Sequence, residues 1–140
     1  MAITSNASAT WNGDLGSGSG TATLGSGTSF DMTWKARAEA GAAPTPEELI
    51  AGAHASCFSM ALSNTLAEAG HTAESLATTA KVTFVPGTGI TTSVLTVTGT
   101  VPGIDQAQFA EFAEQAKAGC PVSQALAGVE ISLESANLAA

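Results

Sequence analysis

Alternation of apolar and polar residues dominates the N-terminal part of the chain. Between residues 6 and 34, short alternating stretches are separated by glycine-rich turns, which predicts several short strands. The clearest stretch runs from Phe30 to Arg37, with apolar residues at the even positions and polar residues at the odd ones. This pattern predicts one half-buried strand, with Arg37 on its polar face near its end.

A long helix is predicted from Thr45 to about Ala69. Thr45 suits the N-cap, Pro46 suits the first helical position, and Gly70 ends the pattern. The middle of this helix, residues 49–62, contains no Lys, Arg, Asp or Glu. A helix that is apolar or small nearly all round is a buried one. Because a single chain of 140 residues can hardly surround it, this helix favours a dimer.

The rest of the chain alternates between strand and helix patterns. The predicted elements are strands at Ser75–Val85 and Ile90–Val101 joined by a turn at 86–89, a helix from Asp105 to about Ala118, a short helix beginning at Cys120-Pro121 and ending near Ala127, and a strand at Val129–Glu134. The sequence therefore predicts an α+β fold in one domain spanning residues 1–140, with a long buried helix against an antiparallel sheet.

Charged residues are scarce and mostly acidic. The chain has four Lys and Arg against 12 Asp and Glu, a net charge of −8. This balance excludes nucleic acid and anionic membranes as partners, since both need several cations. No apolar stretch approaches 18 residues, and residues 1–6 do not resemble a secretion signal, so we expect a cytoplasmic protein. With 44% hydrophobic residues, part of the apolar surface is expected to lie between subunits.

The two cysteines, Cys57 and Cys120, are candidates for redox chemistry. In the cytoplasm, two thiols 63 positions apart are often simply buried and inert. Cys120 precedes a short helix, whose N-terminus would lower the pKa of its thiol. Cys57 lies in the middle of the long helix and needs a cation from elsewhere. The cations of the chain are Lys35, Arg37, Lys81 and Lys117.

A zinc site is a second possibility for these residues. His54 and Cys57 are three positions apart on one helix face, and His71 and Cys120 would complete a set of two cysteines and two histidines. The spacing matches no familiar zinc module. We therefore interpret His54 as a core or interface histidine and His71 as a surface one.

Three segments, two of them long and containing the cysteines, resemble the osmotically inducible protein C (OsmC) family of thiol peroxidases. They are Thr45–Leu62, Val101–Asp105 and Ala116–Ser123, and the motif Trp11-x-Gly13-Asp14 is similar too. The resemblance implies an intertwined α+β homodimer without a cofactor, which reduces hydroperoxides, organic ones preferentially. An external dithiol, a dihydrolipoyl group on a lipoylated protein, would regenerate it. Because no arginine precedes residue 37, the chain looks like the OsmC branch rather than the sister organic hydroperoxide resistance (Ohr) group.

The same resemblance assigns roles to four residues. It implies that Cys57 is the peroxidatic cysteine, that Cys120 is the resolving cysteine, and that Arg37 and Glu47 activate the thiol. Helix-dipole reasoning alone would choose Cys120 as the reactive thiol, and we follow the resemblance. A thiol-containing binding or stress protein without catalysis, and a small zinc protein, remain the alternatives.

Two further expectations concern the geometry of this site. Glu47 and Cys57 are ten residues apart on one helix, which corresponds to about 15 Å along its axis and different faces. We therefore expect Arg37 and Glu47 to complete the Cys57 site of the other subunit. Phe58, Met60 and Ala61 flank Cys57 and are expected either to provide an apolar lining that favours organic substrates or merely to fill the core.

Overall fold

The computed structural model describes residues 1–39 and 41–139. The elements in chain order are β1 (Ala7–Asn12), β2 (Ser19–Leu24), β3 (Ser29–Met32), α1 (Trp34–Ala38), α2 (Pro46–Glu68), β4 (Ser75–Val85), β5 (Gly89–Thr100), α3 (Gln106–Gly119), α4 (Pro121–Ala125) and β6 (Glu130–Leu138). The α+β prediction is confirmed. The chain consists of two compact units, Met1–Leu49 and the residues from Ile50 onward, and the prediction of a single domain stays a prediction.

The first unit is built on a small antiparallel sheet in the order β1-β2-β3. All six residues of β1 are exposed. Among the described residues of Met1–Leu49, only Ala36 and Glu47 are buried. Because so few residues are buried, this sheet has no core of its own. A sheet of this size is stable only when its apolar face packs against something else.

The predicted strand from Phe30 to Arg37 is wrong in its second half. Strand β3 ends at Met32, and helix α1 begins at Trp34. Thr33 is the helix N-cap: its hydroxyl accepts a 3.2 Å hydrogen bond from the Ala36 N–H. The N-cap interaction satisfies an amide that a continued strand would leave to another partner. Arg37 therefore lies in the last turn of a short helix and not on a strand.

The second unit contains a mixed sheet in the order β4-β5-β6. The predicted hairpin of β4 and β5 is confirmed, with Ser75 opposite Thr100 and Val85 opposite Gly89. Strand β6 is longer than predicted and pairs parallel with β5, which differs from the expected purely antiparallel sheet. Parallel neighbours require a crossover connection, and helices α3 and α4 lie within it.

Helix α2 buries one face in the single chain. His54, Phe58, Leu62 and Leu66 follow each other at four-residue spacing and are 0% exposed. This spacing places them in one row along the helix. Elsewhere on the helix, Met60 is 71% exposed. The expected all-round burial is thus not reached within one chain, because the other face of the helix consists largely of small residues left at the surface.

The core of the second unit joins α2 to β5 and α3. Phe58, Leu95 and Phe109 are fully buried members of one cluster. Gly99 on β5 lets the Phe109 ring approach the strand backbone, because a Cβ atom at Gly99 would lie 2.6 Å from two of its ring carbons. This close packing fixes α3, and with it Cys120 at the end of α3.

Candidate active site

The two cysteines, 63 positions apart in the sequence, interact directly in the second unit. Cys57 lies on α2 and is partly buried, whereas Cys120 is 0% exposed. Cys120 occupies the junction between α3 and α4, as the C-cap of one and the N-cap of the other. Both are free thiols, Cys57 packs against the buried cluster that contains Cys120, and the Cys120 side chain influences the pKa of Cys57. The fold therefore brings together the two thiols that were predicted to act as a pair.

Burial is the main influence on the pKa of the Cys57 thiol, and it raises that pKa. The backbone N–H of Val122 donates a hydrogen bond to Cys57, which lowers the pKa, whereas the neighbouring Cys120 side chain raises it. The net direction is upward. Within the described residues, no cation is among the groups that set this pKa. The raised pKa favours the protonated thiol of Cys57.

Helix α4 contacts the cysteine pair differently from the sequence expectation. Cys120 is its N-cap but makes no side-chain capping hydrogen bond. The amide of Val122, the second helical residue, is directed at Cys57 instead. Because α4 has only five residues, its influence is that of one amide and not of a long helix dipole. The sequence places Cys120 next to this helix, but nothing in it indicates that the Val122 N–H donates a hydrogen bond to Cys57.

His54 lies three residues before Cys57 on α2 and is fully buried. Its Nδ1 is 2.7 Å from the Ser93 hydroxyl of β5, and its Nε2 is 2.8 Å from the Ser123 hydroxyl of α4. Burial lowers the pKa of His54, so the ring is neutral at pH 7. The prediction of a core histidine with satisfied polar atoms is confirmed, whereas its two serine partners were not foreseen.

Arg37 and Glu47 form an ion pair in the first unit. The Nε and Nη2 atoms of Arg37 donate to one carboxylate oxygen of Glu47 at 2.9 and 2.7 Å. The Glu47 side chain is 9% exposed and that of Arg37 is 30% exposed. The guanidinium also lies 5.9 Å from the ring centre of Trp34. The ion pair between the two residues is present, although Arg37 reaches it from a helix, and their role in activating Cys57 stays a prediction.

A cavity of about 250 Å³ lies beside Arg37 in the first unit. Most of its lining is apolar, and its walls come from Ala9, Thr10, Trp11, Leu15, Gly20, Thr21, Ala22, Met32, Thr33, Trp34, Arg37 and Pro46. This cavity was missed in the sequence, because its residues come from three strands and two helices. The suggested lining beside Cys57 is not formed by Phe58, which is fully buried in the core, and Ala61 packs against the same core.

The residues proposed for a zinc site do not form a ligand set in the part of the chain that the structure describes. Both ring nitrogens of His54 are within hydrogen-bond distance of serine hydroxyls. His71 packs against the ring of Phe112, with 6.1 Å between ring centres. Within residues 1–39 and 41–139, no three His, Cys, Asp or Glu side chains are grouped so that they could hold a metal ion.

Residues 39–134 match the family model described as OsmC-like protein. The chain belongs to the OsmC-like family. The matched range contains both cysteines and Glu47, whereas Arg37 precedes it. Peroxiredoxin OsmC of Escherichia coli (strain K12) is 44% identical over 139 residues, which cover 96% of each chain. Peroxiredoxin OsmC of Shigella flexneri matches to the same extent.

Solved structures of OsmC-like and Ohr proteins share this fold. An OsmC-like protein from Mycoplasma pneumoniae has a TM-score of 0.76 at 17% identity, and the match covers 99% of this chain and 100% of that one. The organic hydroperoxide resistance protein OhrB of Bacillus subtilis has a TM-score of 0.67 at 26% identity, with coverage of 93% and 97%. Among the described residues of this OsmC-like chain, no helix is long and apolar enough to cross a membrane.

Proposed function

We propose that this protein is a two-cysteine peroxidase that reduces hydroperoxides, organic ones in preference to hydrogen peroxide. The observation that carries the proposal is that Cys57 packs against the buried cluster containing Cys120, close enough for the Cys120 side chain to shift the pKa of Cys57. One thiol is partly accessible and the other is fully buried beside it, which is the arrangement that a peroxidatic and a resolving thiol need. The relatives named Peroxiredoxin OsmC and the hydroperoxide resistance protein OhrB support the same activity.

The first step takes place at Cys57. Its thiolate attacks the terminal oxygen of the hydroperoxide, so that a sulfur–oxygen bond forms and the oxygen–oxygen bond breaks. The products are a sulfenic acid on Cys57 and an alkoxide, which takes up a proton and leaves as an alcohol. We assign the nucleophile to Cys57 and not to Cys120, because a fully buried thiol is closed to an external substrate.

The second step joins the two cysteines. The Cys120 sulfur attacks the sulfenic sulfur of Cys57, the hydroxyl leaves as water, and a disulfide forms. An external dithiol then restores both thiols by exchange through a mixed disulfide and is itself oxidised to a disulfide. A dihydrolipoyl group on a lipoylated protein is the reductant that we propose, with no bound cofactor. A cytoplasmic location suits an enzyme whose resting state has two free thiols.

Activation of Cys57 requires a cation, since burial raises the pKa of its thiol. Arg37 is the residue we assign to this role, with Glu47 fixing the guanidinium through the two hydrogen bonds described above. Glu47 and Cys57 are ten residues apart on α2, or about 15 Å along the helix axis. We therefore propose a homodimer in which the pair from one subunit serves Cys57 of the other.

Exposure of apolar residues supports this dimer. Trp11 is 42% exposed and Leu15 is 59% exposed in the first unit, and Met60 is 71% exposed on α2. Large apolar side chains at this exposure, on a sheet without its own core, favour coverage by a second copy. The acidic net charge of −8 gives no support for a nucleic-acid or membrane partner instead.

The cavity beside Arg37 supports the preference for organic substrates. Its apolar walls include Trp11, Met32 and Trp34, and Arg37 also lines it. An alkyl or aryl tail would be desolvated on these walls while the guanidinium binds the peroxide oxygens. Hydrogen peroxide has no tail and gains nothing from the cavity.

Thiol counting by mass spectrometry tests the proposal. One equivalent of cumene hydroperoxide is added to wild type, to Cys57→Ser and to Cys120→Ser, and the remaining thiols are alkylated. We expect a Cys57–Cys120 disulfide in wild type and a sulfenic acid on Cys57 in Cys120→Ser. A sulfenic acid on Cys120 instead would reverse the two roles. Two unmodified thiols in wild type would refute the proposal and favour a thiol-containing protein without catalysis.

A further inference from the structure

Two groups at the start of helix α4 act on Cys57. Cys120 is the N-cap of this helix, and a hydrogen bond from the Val122 backbone amide lowers the pKa of Cys57. The helix has five residues, too few to be stable without tertiary contacts. The position of the Val122 amide, and in part that of Cys120 at the junction with α3, therefore depends on what holds α4 against α2.

One buried side chain makes that connection. His54 on α2 is 2.8 Å from the hydroxyl of Ser123 on α4, and its other nitrogen is 2.7 Å from Ser93 on β5. His54 and Ser93 are 0% exposed, and Ser123 is 7% exposed. A neutral imidazole has one donor and one acceptor nitrogen. Each serine therefore has a distinct role, one accepting and one donating, and the ring cannot rotate without losing both partners.

We propose that His54 is a positioning residue: through Ser123 it holds α4 so that the amide and the resolving thiol face Cys57. Ser123 follows Val122 directly, so a shift at the serine moves the donated amide with it. A displacement of about 1 Å is enough to cost a reaction about a hundredfold in rate. Loss of the His54–Ser123 contact should therefore weaken the hydrogen bond to Cys57 and slow closure of the disulfide.

The role of His54 rests on the proposed function, but disulfide closure can be measured without peroxide. Diamide oxidises two thiols to a disulfide, and its N=N bond takes up both electrons and both protons. The first thiol adds to the diamide and the second displaces the hydrazine, so the rate at saturating diamide reports the closure by Cys120. Acid quenching followed by alkylation and mass spectrometry counts the thiols that remain.

The decisive variant is Ser123→Ala, with Ser59→Ala as its matched control. Ser59 lies on the same helix as His54 and makes a 2.7 Å hydroxyl contact with Thr78 on β4. The control therefore removes a similar hydrogen bond that does not involve α4. We expect closure in Ser123→Ala to be slower than in Ser59→Ala by about tenfold or more. Titration of the Cys57 thiolate by ultraviolet absorbance should also give a higher pKa in Ser123→Ala alone.

Rescue by a conservative change separates positioning from general stability. Ser123→Thr retains the hydroxyl and should close at a rate near that of wild type. If Ser123→Ala does not fold, His54→Asn is measured instead, with slower closure again expected. Equal closure rates and equal thiolate titrations in Ser123→Ala and Ser59→Ala would overturn the positioning role. By contrast, normal diamide closure in wild type without any reaction with cumene hydroperoxide would refute the peroxidase proposal alone.

Discussion

Removing the two partners of the Arg37–Glu47 pair should have unequal consequences. The Glu47 side chain is 9% exposed, whereas that of Arg37 is 30% exposed. Arg37→Met leaves a carboxylate with little access to water, and Glu47→Gln leaves a guanidinium that water still reaches. An unpaired buried charge costs several kcal/mol, whereas a half-solvated one costs far less. We therefore expect Arg37→Met to be the more damaging variant.

The size of the effect follows from the burial of the carboxylate that remains. Breaking a buried ion pair by removing one partner typically costs several kcal/mol, so the loss of unfolding free energy in Arg37→Met should be about 3 kcal/mol. Glu47→Gln retains an acceptor oxygen for the partly exposed guanidinium and should cost about 1 kcal/mol.

Urea unfolding at one fixed protein concentration measures both costs, since the stability of a dimer depends on concentration. Each variant is compared with wild type at pH 7. The double variant Arg37→Met/Glu47→Gln should be more stable than Arg37→Met, because it no longer contains the unpaired carboxylate. Equal losses for the two single variants, or a double variant that is no more stable than Arg37→Met, would refute this reasoning.

Three other predictions address the composite site, the core and the buried histidine. Coexpression of equal amounts of Arg37→Met and Cys57→Ser chains should give about a quarter of wild-type peroxidase activity, since half of the dimers would hold one intact site; no activity would mean that each chain uses its own arginine. Gly99→Ala should lower the unfolding free energy by about 1–3 kcal/mol in the same urea assay, because its Cβ would meet the Phe109 ring at 2.6 Å, and an unchanged midpoint would contradict that packing. Burial lowers the pKa of His54 in the folded state, so the unfolded chain takes up a proton first, and the unfolding free energy should fall below about pH 6.5 by up to about 1.4 kcal/mol per pH unit. The same pH dependence in His54→Asn would refute this assignment.

Local signals explain which elements were predictable. The start of α2 was identified from Thr45, whose hydroxyl accepts from the Glu48 N–H at 3.1 Å while the Glu48 carboxylate accepts from the Thr45 N–H at 2.9 Å. Such a capping box is readable within four residues. The end of β3 was missed although Thr33 is also a capping residue, because the alternating pattern continued into α1 and no glutamate stood three positions later. The capping residue Thr33 was therefore a better predictor of where β3 ends than the alternation of eight residues.

The contacts within the site were harder to predict from the sequence, because they join residues far apart in the chain. Ser93 is 39 positions from His54, and Ser123 is 69 positions from it. Serine is common throughout this sequence, so nothing local distinguishes these two from the others. The pairing of Arg37 with Glu47, ten positions apart, was anticipated only through the family resemblance. The sequence thus supplied the candidate thiols and charges, whereas the hydrogen-bond partners that position them required the fold.

The conflict over which cysteine reacts has a physical resolution in the position of one amide. Sequence adjacency assigned the start of α4 to Cys120, but the N–H of Val122 is donated to Cys57. A thiol that is buried without a cation still has its pKa raised on balance, so this amide alone does not make Cys57 a nucleophile. It does favour the thiolate once a guanidinium arrives, because a hydrogen bond to the charged form adds to the effect of a nearby opposite charge. Removing Arg37 and displacing α4 should therefore each raise the pKa of Cys57, and doing both should raise it further than either change alone.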